Sequence, residues 1–239
     1  MSERRIGDVV IEFADVTKSF GELKVLDGLS FSVRAGETFV IVGPSGTGKS
    51  VTLKHIVGLL EPDSGLVTCA SRRVGYLFQS GALLAWLTVY ENVALPLLET
   101  TRLSDAEVDE KVMEALRAVG LEAAADRYPS ELSGGMQKRA GLARVLVRDA
   151  DVILYDEPTS GLDPVTSVSI SRLIREVGAA RGATSVLVTH DLVGALRLAD
   201  RILLLRDGKC ALCASPVEFT ASRDPAVAEF LAATKGEGI

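Results

Sequence analysis

The sequence has few aromatics, few histidines and no long apolar run. Phe, Trp and Tyr make up 5% of its 239 residues, with one Trp, and His occurs twice. With three Cys and two His scattered widely, a metal site has little to be built from. The three cysteines form no even disulfide framework: Cys69 is remote from Cys210 and Cys213, and the CxxC in KCALCA lacks the further ligands of a structural zinc site. Those two cysteines read as small apolar residues of a strand. The longest apolar runs, such as ILLL at 202–205 and VIL at 152–154, fall far short of the ~20 residues that span a bilayer, so that if the protein works at a membrane another subunit does the spanning. The start, MSERRIGDVV, carries no apolar core and no small-residue cleavage pattern, and the chain is expected to stay in the cytoplasm. A basic excess is missing too. With a net charge of −6 and a pI near 5.1, there is no overall positive field for a polyanion, and nucleic acid is not an expected partner.

What is there is 47% apolar residue over a length that buries a full core, as one large domain or a core with a helical subdomain. VVIEFADV and LSFSVRAGE alternate apolar and polar residues, which predicts a half-buried antiparallel sheet at the start. FVIVG (39–43), VILYD (152–156) and SVLVT (185–189) are continuous apolar runs, as in parallel strands covered on both faces. In SDAEVDEKVMEALRAVG, Ser104 or Asp105 can cap a helix whose Val108, Val112, Leu116 and Val119 share one face. RILLLRDGKCALCA, with Asp207-Gly208 between its apolar stretches, reads as a hairpin. The fold class is therefore α/β, a single domain over 1–239 with a helical insert at about 80–150.

Four stretches carry chemistry. Gly43-Pro44-Ser45-Gly46-Thr47-Gly48-Lys49-Ser50 fits GxxxxGK[ST] between a buried strand and a predicted helix, KSVTLKHIVGLL. Glycines let backbone N–H groups wrap phosphates, Lys49 can reach the β- and γ-phosphates, and Ser50 can ligate Mg²⁺. VILYDE ends a buried strand in Asp156 and Glu157, suited to hold Mg²⁺ and to activate a water; an exposed acidic turn is the other reading. His190 ends SVLVT, where it can meet a γ-phosphate or serve structure alone, whereas His55 inside a helix reads as structural. LSGGMQKR, Leu132 to Arg139, places Ser133, Gly134 and Gly135 at a helix start, a second anion site or a serine-capped glycine turn.

GPSGTGKS, Gln79 in GYLFQSG, LSGGMQKR, VILYDEP, SGLDP and VTHD follow the order and spacing of the ATP-binding-cassette ATPases, and the resemblance covers nearly the whole chain. FQSGALL, LTVYENVALPL, LSGGMQKRAGLAR, YDEPTSGLDPVTS and SRDPAVAEFL are most similar to ATPase subunits of Mla/Mce-type lipid transporters. The resemblance implies a P-loop ATPase core with an N-terminal antiparallel β-subdomain and a helical signature subdomain. It implies MgATP hydrolysis, with Glu157, His190 and Gln79 catalytic and Ser50, Gln79 and Asp156 around Mg²⁺. Phe20 would stack on adenine, though by itself it could be core. Leu132, Ser133, Gly134, Gly135 and Met136 would close over the γ-phosphate of a second, head-to-tail copy, and Asp163 would cross that interface, although locally it is a turn before a Pro-started helix. Leu83, Leu84, Trp86 and Leu87 would line a groove for a helix of an integral membrane permease. The implied partners also include an MCE-domain lipid-binding protein, and the implied place is the cytoplasmic face of the inner membrane.

Two features depart from that pattern. The stretch from Gly58 to Gln79 is shorter than in Mla-type ATPases, and Trp86 in ALLAWLTV is similar to the ATPases of nitrate and alkanesulfonate importers, the alternative cargo class. A soluble ABC ATPase is disfavoured by the acidic balance and the lack of a coiled-coil insert, and a P-loop kinase or switch would leave LSGGMQKR unexplained. In the tail, 216–239, Asp224 can cap a helix begun by Pro225, with Val227, Phe230 and Leu231 on a face that packs on its own domain or, as the family's tails suggest, on the second copy.

Overall fold

The computed structural model describes residues 7–235; the first six residues of the start and the last four of the expected tail lie outside the described residues. In chain order the elements are β1 (Val9–Phe20), β2 (Leu23–Arg34), β3 (Thr38–Val42), α1 (Lys49–Ile56), β4 (Ser64–Cys69), β5 (Val74–Leu77), α2 (Val89–Thr100), α3 (Asp105–Ala118) and α4 (Gly134–Leu146). They continue with β6 (Val152–Asp156), α5 (Pro164–Arg181), β7 (Thr184–Thr189), α6 (Leu192–Leu198), β8 (Arg201–Arg206), β9 (Lys209–Ala214), α7 (Pro216–Ala221) and α8 (Pro225–Lys235). Two compact units divide the chain: Met1–Arg72 with Thr184–Ile239, and Arg73–Ala183.

In the first unit β1 pairs antiparallel with β2 on one side and β4 on the other, the sheet that the alternating N-terminal pattern predicts. A second set of strands runs in the order β7-β3-β8 in parallel, with β9 antiparallel to β8. Phe39, Val40, Ile41 and Val42 of β3 are 0% exposed, so this strand is covered on both faces and needs no polar alternation. One aromatic stack ties the sheets together: the Phe13 and Phe31 ring centroids are 4.5 Å apart, and those of Phe31 and Phe39 are 5.4 Å apart. Arg201 lies over the Phe39 ring with its guanidinium 5.3 Å from the centroid, and pairs with the buried Glu37 at 3.1 Å.

The expected hairpin is β8–β9, with Asp207 and Gly208 both at positive φ, as a two-residue hairpin turn requires. A register shift pairs Leu204 with Leu212 but Leu205 with Cys210, leaving Ala211 as the extra residue. Cys210 and Cys213 thereby pair with Leu205 and Leu203 and share one face, half-buried. Burial pushes the Cys210 thiol up to about 11, which keeps it protonated and unreactive. The helix expected from KSVTLKHIVGLL ends early, at Ile56. Gly58, at φ 71°, takes the left-handed position that closes a helix, and its N–H donates to the His55 carbonyl. In the tail, Asp224 accepts from the Ala226 and Val227 amides, Val227 is 0% exposed, and Glu229 pairs with Arg206 at 2.7 Å. Of the apolar face of α8, Val227 is seated on its own unit, while Phe230 and Leu231 remain partly exposed.

In the second unit β5 and β6 run parallel, Val74 opposite Val152. Helices α2 and α3 open with reciprocal capping boxes, Thr88 with Glu91 and Ser104 with Glu107. Val108, Val112, Leu116 and Val119 are all buried, as their spacing predicts. The fully buried Asn92 holds the loop before α2: its Nδ2 donates to the carbonyls of Leu84, Leu87 and Thr88, and its Oδ1 accepts from the Leu84 amide. Among the described residues no helix is long and apolar enough to cross a membrane.

Candidate functional site

The first unit carries the glycine loop Gly43 to Ser50. β3 ends at Val42, and the chain curls through Gly43, Gly46 and Gly48 at φ 157°, 81° and 98° before entering α1. Two of these glycines are required by close approach: a Cβ at Gly43 would press into the Leu205 carbonyl oxygen, and one at Gly48 would meet Val25 Cγ1 at 2.8 Å. Gly46 has nothing within 4 Å of where a Cβ would stand, so its backbone faces open space. No side chain caps α1 and no acid stands in its first turn, which leaves its N-terminal N–H groups suited to an external anion. Lys49 is buried with its Nζ donating to the carbonyls of Gly43 and Pro44, each at 2.8 Å, so the ammonium is held over the loop. The donor set fits a nucleotide's phosphates: a backbone nest, an uncapped helix start, a lysine and the Ser50 hydroxyl.

His190 and the loop leave neighbouring strands at the same end, because Val42 pairs with Thr189 in the parallel register of β3 and β7. His190 is exposed there, and the turn beyond it is fixed by Asp191, which caps α6 by accepting from the Gly194 amide at 2.9 Å. Phe20 closes β1 opposite Leu23, its ring 47% exposed, with Lys18 Nζ 5.7 Å from the ring centroid. An aromatic held this far out of a core is suited to stack on a flat ligand. Asp63 fixes this end of the strand, accepting from the Ser19 amide at 2.6 Å and pairing with Lys18 at 2.8 Å.

The second unit carries the acidic and signature groups. β6 ends in the buried Asp156, whose Oδ2 accepts from the Tyr76 hydroxyl at 2.8 Å. Burial, then the Asp156 charge, pushes the Tyr76 phenol far above its ordinary range, so it stays a donor. Glu157 follows at φ 48°, a left-handed conformation uncommon for a residue with a side chain, and its carbonyl accepts from the Ser160 amide. Gln79 is exposed, and its Nε2 donates to Ser160 Oγ at 3.0 Å. The turn that shapes Glu157 is thus bonded to the Gln79 side chain.

Ser133 caps α4 by accepting from the Met136 amide, the serine cap its position implies, and no acid stands in the first turn of α4. Leu132 is buried, and Gln137 draws the loop in by donating to the carbonyls of Pro129 and Leu132. A Cβ at Gly135 would meet Thr166 Cγ2 at 2.6 Å, so α4 starts in close contact with α5. Asp163 caps α5 through the Val165 and Thr166 amides and the Thr166 hydroxyl; that hydroxyl bond first, then the amides, hold its carboxyl below the usual range. The structure therefore joins the signature glycines, the Asp163 turn, Glu157 and Gln79 through direct contacts within this unit.

Sequence reasoning missed Tyr76, Ser160, Thr166 and Lys138. Lys138 is 7% exposed and donates from Nζ to the carbonyls of Gln79 and Glu157. Burial lowers its pKa, while Glu157 and Asp156 act in the opposite sense. A lysine one turn into a helix reads as solvated, and only its long-range partners distinguish it.

Comparison with known proteins agrees with this geometry. Residues 26–160 match the family model described as ABC transporter. The chain is 42% identical over 253 aligned positions to "Protein TRIGALACTOSYLDIACYLGLYCEROL 3, chloroplastic" of Arabidopsis thaliana, covering 93% of this chain and 73% of that protein. It is 38% identical to the "Intermembrane phospholipid transport system ATP-binding protein MlaF" of Escherichia coli strain K12, covering 93% and 88%. It is 40% identical to the "Probable ribonucleotide transport ATP-binding protein mkl" of Mycobacterium leprae, covering 93% and 69%. Among solved structures, cbiO1 of Clostridium perfringens superposes with a TM-score of 0.83 at 28% identity, over 91% of this chain and 92% of that one. The dimeric cassette MJ0796, in a post-hydrolysis state bound to ADP and Pi, superposes with a TM-score of 0.77 at 34% identity, over 86% and 98%. A P-loop, a serine-capped signature helix and a buried strand ending in Asp156 and Glu157 all lie on a fold shared with these cassettes; the chain belongs to the ABC transporter family, as one of its ATP-hydrolysing cassettes.

Proposed function

We propose that this chain powers the transport of a phospholipid or related hydrophobic molecule through separate membrane subunits. The observation that carries this reading is the pair of helix starts, α1 after the P-loop and α4 after Ser133, each with no acid in its first turn, in a chain 38% identical to the phospholipid-transport protein MlaF. One phosphate site belongs to the loop; the second is suited to a γ-phosphate held by another copy of the chain, in head-to-tail arrangement. An interface built on that phosphate favours the dimer only while it is bound, and hydrolysis releases it.

Each residue then has a role. The P-loop amides from Gly43 to Gly48 and the Lys49 ammonium bind the phosphates, and Phe20 stacks on the base. Ser50, Asp156 and Gln79 would hold a Mg²⁺ ion, which would supply neutralisation of the phosphates' charge. Glu157 accepts a proton from the attacking water, oriented with it by Gln79, while His190 contacts the γ-phosphate. Ser133 and the Gly134 and Gly135 amides, flanked by Leu132 and Met136, bind the partner copy's γ-phosphate, with Asp163 beside them. The helical segment at about 80–150 carries the permease contact through Leu83, Leu84, Trp86 and Leu87. The chain works peripherally on the cytoplasmic face of the inner membrane, with an MCE-domain lipid-binding protein as a further partner.

The test is to purify the chain from native membranes in mild detergent and identify what accompanies it by mass spectrometry. A permease with an MCE-domain protein and bound phospholipid or sterol is the expected result. The "ribonucleotide transport" wording attached to the mycobacterial relatives supports a second reading, polar cargo, which a permease with a soluble anion-binding protein and no lipid would favour. Absence of any membrane partner would contradict both.

A further inference from the structure

The signature helix α4 grips the segment after β5 along one stripe. Lys138 Nζ donates to the Gln79 carbonyl; one turn on, a Cβ at Gly141 would meet Leu77 Cδ1 at 2.9 Å and the Gly81 carbonyl oxygen at 3.0 Å; Arg144 then donates to the carbonyls of Gly81 at 3.0 Å and Ala82 at 2.7 Å. Positions 138, 141 and 144 step by three along the helix, so one ridge carries all three contacts. Lys138 alone reaches a second segment as well, donating to the Glu157 carbonyl at 3.4 Å.

Packing does not explain a lysine here. At 7% exposure its ammonium gives up most of its hydration, a cost that an apolar side chain of similar length would avoid. What only a multivalent donor supplies is a single point binding two carbonyls from chain segments far apart in sequence. Both carbonyls belong to residues with proposed parts in hydrolysis. Glu157 is moreover at φ 48°, where the peptide orientation decides which way its carboxylate leaves the backbone.

We propose that Lys138 is a positioning residue for ATP hydrolysis: it fastens the main chains of Gln79 and Glu157 to the signature helix, so that a displacement of α4 moves both together. The proposal rests on the roles given above to Gln79 and Glu157. It differs from them in that Lys138 acts through the main chains of Gln79 and Glu157 rather than on the nucleotide or the water.

The experiment compares wild type, Lys138→Met and Lys138→Gln in the chain's native membrane complex, measuring kcat and KM by phosphate release, ATP affinity by equilibrium binding, and thermal unfolding. Lys138→Met is expected to lower kcat by about tenfold or more, with KM and ATP affinity within about threefold of wild type, because the interaction acts on the transition state rather than on binding. Lys138→Gln keeps two N–H donors and is expected to recover part of the loss. Wild-type kcat in a folded Lys138→Met, an equal loss of affinity and kcat, or a Lys138→Gln no better than Lys138→Met would overturn the proposal. Should Lys138→Met not fold, Lys138→Gln carries the comparison alone: a reduced kcat at retained affinity supports positioning, and unchanged kcat or lost affinity overturns it. Failure of the underlying function is separately visible, as wild-type complex that hydrolyses no ATP.

Discussion

Tyr76 donates its hydroxyl proton to Asp156 at 2.8 Å, from one parallel strand to the end of the next. The bond orients the carboxylate, which is the part a supporting residue would play if Asp156 is a metal ligand as proposed. Tyr76→Phe removes the donor and keeps the ring. Its ATPase rate is expected to fall about tenfold, with ATP affinity in the absence of Mg²⁺ unchanged. An unchanged rate across a Mg²⁺ titration would mean that Asp156 needs no such support.

Gly135 and Thr166 set the seat of the signature helix. Because a Cβ at Gly135 would meet Thr166 Cγ2 at 2.6 Å, Gly135→Ala should push α4 off α5 and abolish most turnover. Thr166→Ser removes that methyl while keeping the hydroxyl that donates to Asp163, so the double variant should regain activity relative to Gly135→Ala. A double variant as inactive as the single one would show that the clash is not the cause.

Trp86 is the chain's one tryptophan, 72% exposed, in the loop that Asn92 anchors. If that loop receives a helix of the permease, acrylamide quenching of its fluorescence should be strong in the isolated chain and weakened severalfold in the complex. Equal quenching in both would place the permease contact elsewhere.

His55 is 4% exposed, with Nδ1 2.7 Å from the Val51 carbonyl, and burial, the leading cause, lowers its pKa below 6.5. The unfolded chain therefore takes up a proton at His55 before the folded one does. By linkage, stability is full above about pH 6.5 and declines as pH falls below it. In urea unfolding at pH 7.5 and 5.5, His55→Gln should show a smaller drop in midpoint than wild type; an identical drop would assign the acid sensitivity to other groups.

Much of this was legible in the sequence, for identifiable reasons. Phe39 to Val42 and Val152 to Tyr155 announce strands covered on both faces because nothing polar interrupts them, and Ser104 with Glu107 announces a helix start because capping is local. β4, SGLVTC, went unannounced: it lies at the sheet's margin with most residues exposed, so it neither alternates nor runs apolar. The end of α1 was misjudged because the apolar letters continue past Gly58, whose left-handed backbone closes the helix. In the site, the loop and signature residues were readable because their spacing is short-range. Tyr76, Ser160 and Lys138 were not, since each acts through a partner that only the fold brings near, and a tyrosine, a serine or a lysine has many ordinary places in a sequence.

Glu157 is proposed to activate water for the hydrolysis of ATP held between two copies of this chain. The most direct measurement is ATP turnover and oligomeric state of Glu157→Gln beside wild type, at saturating MgATP. Turnover slowed about 100-fold or more, ATP still bound, and a dimer that persists in ATP are the expected results. Turnover at the wild-type rate, or a variant that binds ATP yet stays monomeric, would contradict it.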